Sequence, residues 1–292
     1  MGFLTNNFIA DGFYWFLQLM HHFIPNYVVV VLLSGVIVHA ILSPLDMKQK
    51  ESSMKMANLQ PKMAEIKKRY PDPQKQNAKI QELYRKENVK MSAGCLPMII
   101  KMVFLLAFFG ALTKVANEQI AYLVQRAAAA NGEAVELPGL LWIKNIYMPD
   151  SGLAGVMPKT DDWYRIVSGL APELKAAVEG IDYDAAVAPI LAQYSGYGNG
   201  WFVLPLVQGV LMYVSMNVSM PSGAGQEQNP MGGPMMKIIM SAVMAFVCIN
   251  TNTLFTIYFI FSNLMTTVVS LLFNLYFKKR DEAQQEEQII GE

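Results

Sequence analysis

From Tyr27 to Leu45 the chain carries no acidic or basic residue apart from His39. A helix needs roughly 20 mostly apolar residues to cross the hydrocarbon of a bilayer, and this run supplies them. Backbone in lipid must satisfy its own hydrogen bonds, which leaves helices or closed barrels as the only spanning structures. Four further apolar runs follow: Cys95 to Leu112 with Lys101 inside it, Trp201 to Met220, Met235 to Ile249, and Leu254 to Phe277 after the polar break Asn250-Thr251-Asn252. Composition agrees, with 16% charged residues where a soluble domain averages about 25%. The fold class that follows is all-α: a polytopic membrane protein with five transmembrane helices.

Lys plus Arg equals 23 and Asp plus Glu equals 23, so a nucleic-acid binder that works by bulk positive charge is excluded. The two cysteines, Cys95 and Cys248, sit in apolar runs and read as small buried residues rather than as a disulfide or zinc site.

The distribution of charge sets an orientation. Short loops rich in Lys and Arg stay cytoplasmic, and residues 46–94 hold 12 basic against 6 acidic residues. Residues 113–200 hold 6 basic against 10 acidic residues and read as extracytoplasmic. Lys278-Lys279-Arg280 after the last span puts the C-terminus inside. The resulting order is an N-terminal segment 1–26 outside, spans at 27–45, 95–112, 201–220, 235–249 and 254–277, a short inner loop 221–234 and a cytoplasmic tail 278–292.

No Lys or Arg precedes Lys48, so residues 1–26 lack the basic region of a cleaved signal peptide. Phe8, Gly12, Trp15, Phe16, Leu19 and Phe23 recur at helical spacing, while Asn7, Asp11, Gln18 and His22 fall largely elsewhere. That pattern suits an amphipathic helix in the outer interface, and equally one packed against the spans.

Between the first two spans, Leu59, Met63, Ile66 and Tyr70 step as a coiled-coil seam does, and Ile80, Leu83 and Tyr84 offer a matching face. Pro71-Asp72-Pro73 separates the two stretches, because proline cannot continue a helix. An antiparallel helical hairpin over 46–94 is expected. An arm of roughly 25 residues at about 1.5 Å each reaches about 37 Å, far enough to meet partners through Gln60, Pro61, Lys67, Lys68 and Arg69.

A basic side chain near the bilayer centre costs at least ~2.5 to 3.5 kcal/mol, so Lys101 demands compensation. His39 lies five residues before Pro44 and Lys101 seven after Gly94, which places both roughly 8 to 10 Å deep at about 1.5 Å per residue. They are expected to face one water-filled cavity open to the cytoplasm, with Lys101 as its permanent cation. Gln208, Ser215 and Ser219 on the third span, and Asn263, Thr267, Ser270 and Asn274 on the fifth, are its expected polar lining. Met236, Met240 and Met244 step by four along the fourth span. With Met98 and Met102 on the second they make a flexible apolar slide for varied helices.

These residues together resemble the YidC/Oxa family of membrane-protein insertases. The likeness begins with the amphipathic segment and a first span ending Ile41-Leu42-Ser43-Pro44-Leu45, then Lys48-Gln49. It continues through Met54-Lys55-Met56, Leu59-Gln60-Pro61-Lys62, the charged hairpin and Gly94-Cys95-Leu96-Pro97. Leu141-Trp142-Ile143 with Asp150, and Leu204-Pro205-Leu206 with Gly209 and Met212, complete it. The resemblance covers nearly the whole chain except residues 151–199, where an insertion with helical stretches at Ala171 to Glu179 and Asp184 to Gln193 is expected.

The resemblance implies an insertase and chaperone whose clients are nascent membrane proteins and whose medium is the lipid bilayer. It implies a hydrophilic inner-leaflet groove that admits the polar part of a client while its apolar part slides along lipid-facing helices. Ribosome, targeting factors and the secretory channel are partners it suggests, and no nucleotide, metal or other cofactor is expected. The acidic residues Asp281, Glu282, Glu286 and Glu287 replace the basic tail by which some relatives hold ribosomal RNA. Where the family has its groove arginine this chain has His39, and where the family usually has glutamine it has Lys101. The groove charge is therefore expected to have moved from the first span to the second. The likeness to compact family forms points to a bacterial cytoplasmic membrane.

An ion- or proton-coupled transporter or channel is the alternative that intramembrane charge also suits, though no internal repeat relates the first spans to the last. An enzyme is not expected, because His21, His22 and His39 are the only histidines and form no visible triad or metal site.

Overall fold

The computed structural model describes residues 8–87, 92–219 and 234–290, and the side chains of 50, 53, 56, 57, 60, 92–99, 101 and 278–290 lie outside that description. The described residues form helices and no strand. In chain order these are α1 (Phe8–Phe23), α2 (Tyr27–Arg69), α3 (Pro73–Lys86), α4 (Ser92–Ala129), α5 (Thr160–Ser168), α6 (Pro172–Val178), α7 (Tyr183–Gln193), α8 (Val203–Ser219), α9 (Pro234–Ile249) and α10 (Thr253–Ile290). Stretches long and apolar enough to cross a bilayer lie at Tyr27–Gln49, Met102–Ala129 and Thr253–Phe277, with shorter apolar helices at Val203–Ser219 and Pro234–Ile249. The chain is a multi-helix membrane protein.

Two boundaries differ from the sequence reading. The second apolar helix does not stop at Leu112 but continues to Ala129, and the helix containing the last span runs on through the acidic tail to Ile290. Thr113, Lys114 and Glu118 interrupt the apolar pattern without ending the helix, because Thr113 bonds within it and partners on α1 satisfy the other two. Thr113 returns its hydroxyl to Phe109 O at 2.8 Å, Lys114 pairs with Asp11, and Glu118 accepts from Tyr14 at 2.8 Å and Gln18 at 3.0 Å. The short loop 221–234 lies almost wholly outside the described residues.

The chain divides into two compact units. The first comprises 1–34, 103–209 and 242–260, the second 35–102, 210–241 and 261–292. In the first unit, α1 turns Leu17 into a core with Val30, Val31, Phe108, Leu112, Val115 and Leu254, and Phe13 meets Phe104 and Phe108 edge-on. Phe8, Trp15, Leu19 and Phe23 stay exposed on the opposite side of α1. A helix that keeps Phe8, Trp15, Leu19 and Phe23 exposed on one side while Leu17 and Phe13 pack on the other is apolar on both sides, as a helix lying in a membrane interface can be.

The segment between α4 and α8 is held by buried polar groups. Asn145 and Asn199 bond reciprocally: Asn145 N donates to Asn199 Oδ1 at 2.8 Å and Asn199 Nδ2 donates to Asn145 O at 2.9 Å. Asp150, wholly buried, accepts from Trp201 N at 2.7 Å, Leu204 N at 2.8 Å and the Trp142 indole at 3.3 Å. Gly200 allows that approach, since a Cβ there would overlap the Asp150 carboxylate. Helices α6 and α7 match the two helical stretches expected in the insertion, and α5, capped by the Trp163–Tyr183 stack at 4.9 Å, is an addition to them. Burial drives the Tyr183 phenol upward from its ordinary pKa, and its hydroxyl donates to Pro158 O at 2.6 Å.

In the second unit α2 and α3 form a hairpin. Leu59 and Tyr84 are buried against each other with Met63, Ile80 and Leu83 around them, the pairing that the heptad-like spacing anticipates. Asp72 caps α3 by accepting from Gln74 N at 3.0 Å, with Pro73 at the first helical position. Gln76 Nε2 donates to Lys67 O at 3.2 Å and Tyr70 O at 3.3 Å, closing the turn.

Candidate functional site

The second unit reverses the polarity of a soluble protein. Along α10, Leu264, Val268, Leu271, Leu272 and Leu275 are exposed while Ser270 is buried. On α8, Val210, Tyr213 and Val214 are exposed and Ser215 is buried; at the start of α9, Met235, Ile238, Ile239 and Met240 are exposed while Lys237 and Ser241 are buried. Apolar groups outside and polar groups inside is the arrangement lipid imposes, because polar groups within a membrane find partners in the protein interior.

Separate hydrogen bonds between polar groups join the helices of this unit. His39 Nε2 lies 2.9 Å from Ser262 Oγ, joining α2 to α10. Ser219 and Ser270 approach through their hydroxyls at 3.0 Å, and Asn274 Nδ2 donates to Val218 O at 3.3 Å, so α8 and α10 meet twice. Thr267 Oγ1 donates to Asn263 O at 2.7 Å within α10. Lys237 Nζ donates to Asn217 Oδ1 at 3.1 Å and ties α9 to α8, while Ser241 Oγ returns to Lys237 O at 2.8 Å.

Of the groove residues expected from sequence, His39, Ser215, Asn263 and Thr267 fall in this unit. The backbone of Lys101 belongs to α4, and its side chain lies outside the described residues. Gln208 is placed in the first unit, fully buried, with neither its Oε1 nor its Nε2 given a partner among the described residues. Of the expected slide, Met102 and Met240 are exposed, Met244 packs against the core of the first unit, Met236 is half-buried and Met98 has no described side chain. On the hairpin, Pro61, Lys68 and Arg69 are exposed, Lys67 is half-buried, and Gln60 has no described side chain.

Lys237 is the residue that sequence reading passed over. It stands third in the apolar run from Met235, where a lysine would ordinarily reach back to the headgroups. Its side chain turns inward instead and is 3% exposed. The signal available in the sequence was the pair Lys237 and Ser241, one helical turn apart in an otherwise apolar stretch.

A separate polar cavity of about 650 Å³ in the first unit is bordered by Tyr14, Gln18, Tyr27, Glu118 and Glu173. Its carboxylate at Glu118 is already held by Tyr14 and Gln18, and burial raises the Tyr14 phenol pKa. Among the described residues no group of His, Cys, Asp and Glu is arranged to hold a metal ion.

A protein-family model described as the 60Kd inner membrane protein matches residues 19–281. A protein of Aeromonas hydrophila named membrane protein insertase YidC is 33% identical over 147 residues, 49% of this chain and 23% of its own length. A protein of the same name from a Shewanella species is 33% identical over 156 residues, 50% of this chain and 26% of its own. The matched stretch thus spans about a quarter of the length of these relatives.

Proposed function

Because the chain belongs to the 60Kd inner membrane protein family, the YidC/Oxa insertases, we propose that it inserts short or weakly hydrophobic client segments into a bacterial cytoplasmic membrane and chaperones them there. The observation that carries this reading is the set of polar contacts within the second unit, His39–Ser262, Ser219–Ser270 and Lys237–Asn217, behind an apolar exterior. Polar groups gathered inside a lipid-facing unit solvate the polar part of a client part-way across. The hydrocarbon distance that remains is shorter, and the barrier falls with it.

In this reading His39, Lys101, Gln208, Ser215, Asn263 and Thr267 belong to the groove, and Met98, Met102, Met236, Met240 and Met244 to the slide. The N-terminus lies outside, and the hairpin and C-terminus are cytoplasmic. Gln60, Pro61, Lys67, Lys68 and Arg69 are its contacts for ribosome, targeting factors or secretory channel. The exposure of Pro61, Lys68 and Arg69 supports that role. The protein works as a carrier of segments and not as an enzyme.

The test is insertion of a small client with a short translocated tail into liposomes holding the purified protein, scored by protease protection. Protection that depends on the protein is expected, and Lys101→Gln lowers it if the groove charge has moved to the second span. Normal insertion by Lys101→Gln together with failure of His39→Ala overturns that assignment. No protection with folded protein, accompanied by ion flux across the same vesicles, replaces the insertase with the transporter.

A further inference from the structure

We propose that the polar cavity of the first unit is a binding site for a primary ammonium, carried by a phospholipid headgroup or by a free amine. The cavity holds about 650 Å³ between α1, α4 and α6, all within one compact unit, a volume that takes a small organic ligand. Two carboxylates border it, Glu118 on α4 and Glu173 on α6, and among the described residues that line it there is no lysine or arginine. Lys114, one helical turn before Glu118, pairs with Asp11 instead. On α1, the cavity residues Tyr14 and Gln18 adjoin Trp15 and Leu19, which are exposed. The cavity therefore stands beside a surface suited to a membrane interface, where lipid headgroups are concentrated.

The hydrogen bonds bordering the cavity run one way. An ionised carboxylate only accepts, so the Gln18 amide turns Nε2 toward Glu118, at 3.0 Å, and presents Oε1 to the Tyr27 hydroxyl, which donates to it at 3.1 Å. Gln119 Nε2 donates in turn to the Tyr27 hydroxyl at 3.5 Å. Tyr14 accepts from Gln18 Nε2 at 2.9 Å and places its single proton between the two Glu118 oxygens, 2.8 Å from each. Every donor in this set is already directed at a neighbour, and what remains is capacity to accept. A carboxylate offers about four lone-pair sites, and Glu118 receives hydrogens from Tyr14 and Gln18 alone. His21 adds to this capacity, because its Nδ1 must donate to Ile24 O at 3.0 Å, which leaves Nε2 of the neutral ring an acceptor. Glu173 is exposed and brings a second negative charge. A primary ammonium matches this lining, with three donors, no acceptor and a positive charge. A metal ion does not, since the described residues assemble no group of ligands for one.

The experiment titrates the full-length protein in detergent, by calorimetry, with ethanolamine and with short-chain phosphatidylethanolamine, phosphatidylcholine and phosphatidylglycerol. Phosphatidylethanolamine is expected to bind about tenfold more tightly than phosphatidylcholine, whose methylated ammonium has no N–H to donate, and than phosphatidylglycerol. Glu118→Gln keeps an acceptor for Tyr14 and Gln18 and is expected to weaken phosphatidylethanolamine about tenfold, the loss of one charge-assisted hydrogen bond. Glu173→Gln, which leaves the bonds between α1 and α4 untouched, is expected to weaken it about threefold. Binding of ethanolamine as well as the lipid assigns recognition to the amine alone; binding of the lipid without ethanolamine makes the headgroup the source, and ethanolamine without the lipid makes it a soluble amine. All three support the site. Equal binding of phosphatidylethanolamine and phosphatidylcholine, a preference for phosphatidylglycerol, or no binding by the wild type overturns the proposal. Wild-type affinity in a folded Glu118→Gln protein does so too. If Glu118→Gln unfolds, Glu173→Gln and the headgroup order in the wild type decide the question. Client insertion enters none of these readouts, so the site stands or falls apart from the insertase reading.

Discussion

Replacing Asp150 by alanine should loosen the start of α8. The carboxylate accepts the backbone N–H of Trp201 at 2.7 Å through Oδ1 and that of Leu204 at 2.8 Å through Oδ2, and the Trp142 indole reaches both oxygens at 3.3 Å. Leu204 N is one of the donors that a helix N-terminus cannot satisfy internally, and Trp201 N belongs to the segment that leads into the helix. With the acceptor gone, each backbone N–H left dry costs about 1–3 kcal/mol, so the pair amounts to about 4 kcal/mol, the indole being free to bond water. For a chain of this size the loss corresponds to a fall of about 10 °C in the unfolding midpoint. Asp150→Asn keeps one acceptor oxygen and should lose about half as much. Gly200 supplies the internal check: a Cβ there overlaps Asp150 Oδ1 and lies 2.9 Å from Asp150 Cα. Gly200→Ala should therefore destabilise the wild type more than it destabilises Asp150→Ala, a coupling that a double-mutant cycle reads directly. Thermal unfolding in detergent, followed by tryptophan fluorescence, measures all four proteins. A loss below about 1 kcal/mol for Asp150→Ala, or strict additivity with Gly200→Ala, refutes the reasoning.

Two further outcomes concern the hairpin. Leu59→Ala should cost about 2–3 kcal/mol locally, because the side chain is buried against Tyr84; faster amide hydrogen exchange over 59–84 with unchanged exchange in the first unit is the expected signature, and uniform exchange in both proteins contradicts it. Glu82 is held at a pKa of about 2, chiefly by the hydrogen bond from Lys79 and then by that from Lys86. Since the folded value is depressed, its contribution is complete above the unfolded carboxylate range near 4.5 and disappears as pH falls from there through about 2. Acid titration of the hairpin's helicity should show that slope in the wild type and not in Glu82→Gln.

Much of the helical architecture was readable in the sequence because lipid leaves so few alternatives. Runs such as 27–45 and 254–277 are about twice the length of a barrel strand and match a spanning helix, and Leu59 and Tyr84 are buried against each other as their spacing implies. The misplaced boundary at Leu112 has a long-range cause. Lys114 and Glu118 look like the end of a span, yet Asp11, Tyr14 and Gln18 of α1, about a hundred positions away, satisfy them and let α4 continue. No local window contains those partners. The polar contacts between α8 and α10 were accessible by a different route, as polar interruptions on the faces of these helices: Ser219 meets Ser270, and Asn274 meets Val218 O. Lys237 escaped because position within a run is a poor guide to which way a side chain turns. Its bond to Asn217 Oδ1 is made to another helix.

Helix α2 runs unbroken from Tyr27 to Arg69, so within the second unit His39 and the exposed Arg69 share a single rod. At about 1.5 Å per residue they are about 45 Å apart. Pro44 and Pro61 lie between them, each removing a backbone hydrogen bond and leaving a point of compliance. A body seated at the tip of the hairpin thus holds one end of a lever whose other end carries the His39–Ser262 contact. Its pull or twist is delivered there after passing two softened joints. Whatever docks on the arm acquires a mechanical handle on the His39–Ser262 contact, and the stiffness of that handle is set by two prolines far from either end.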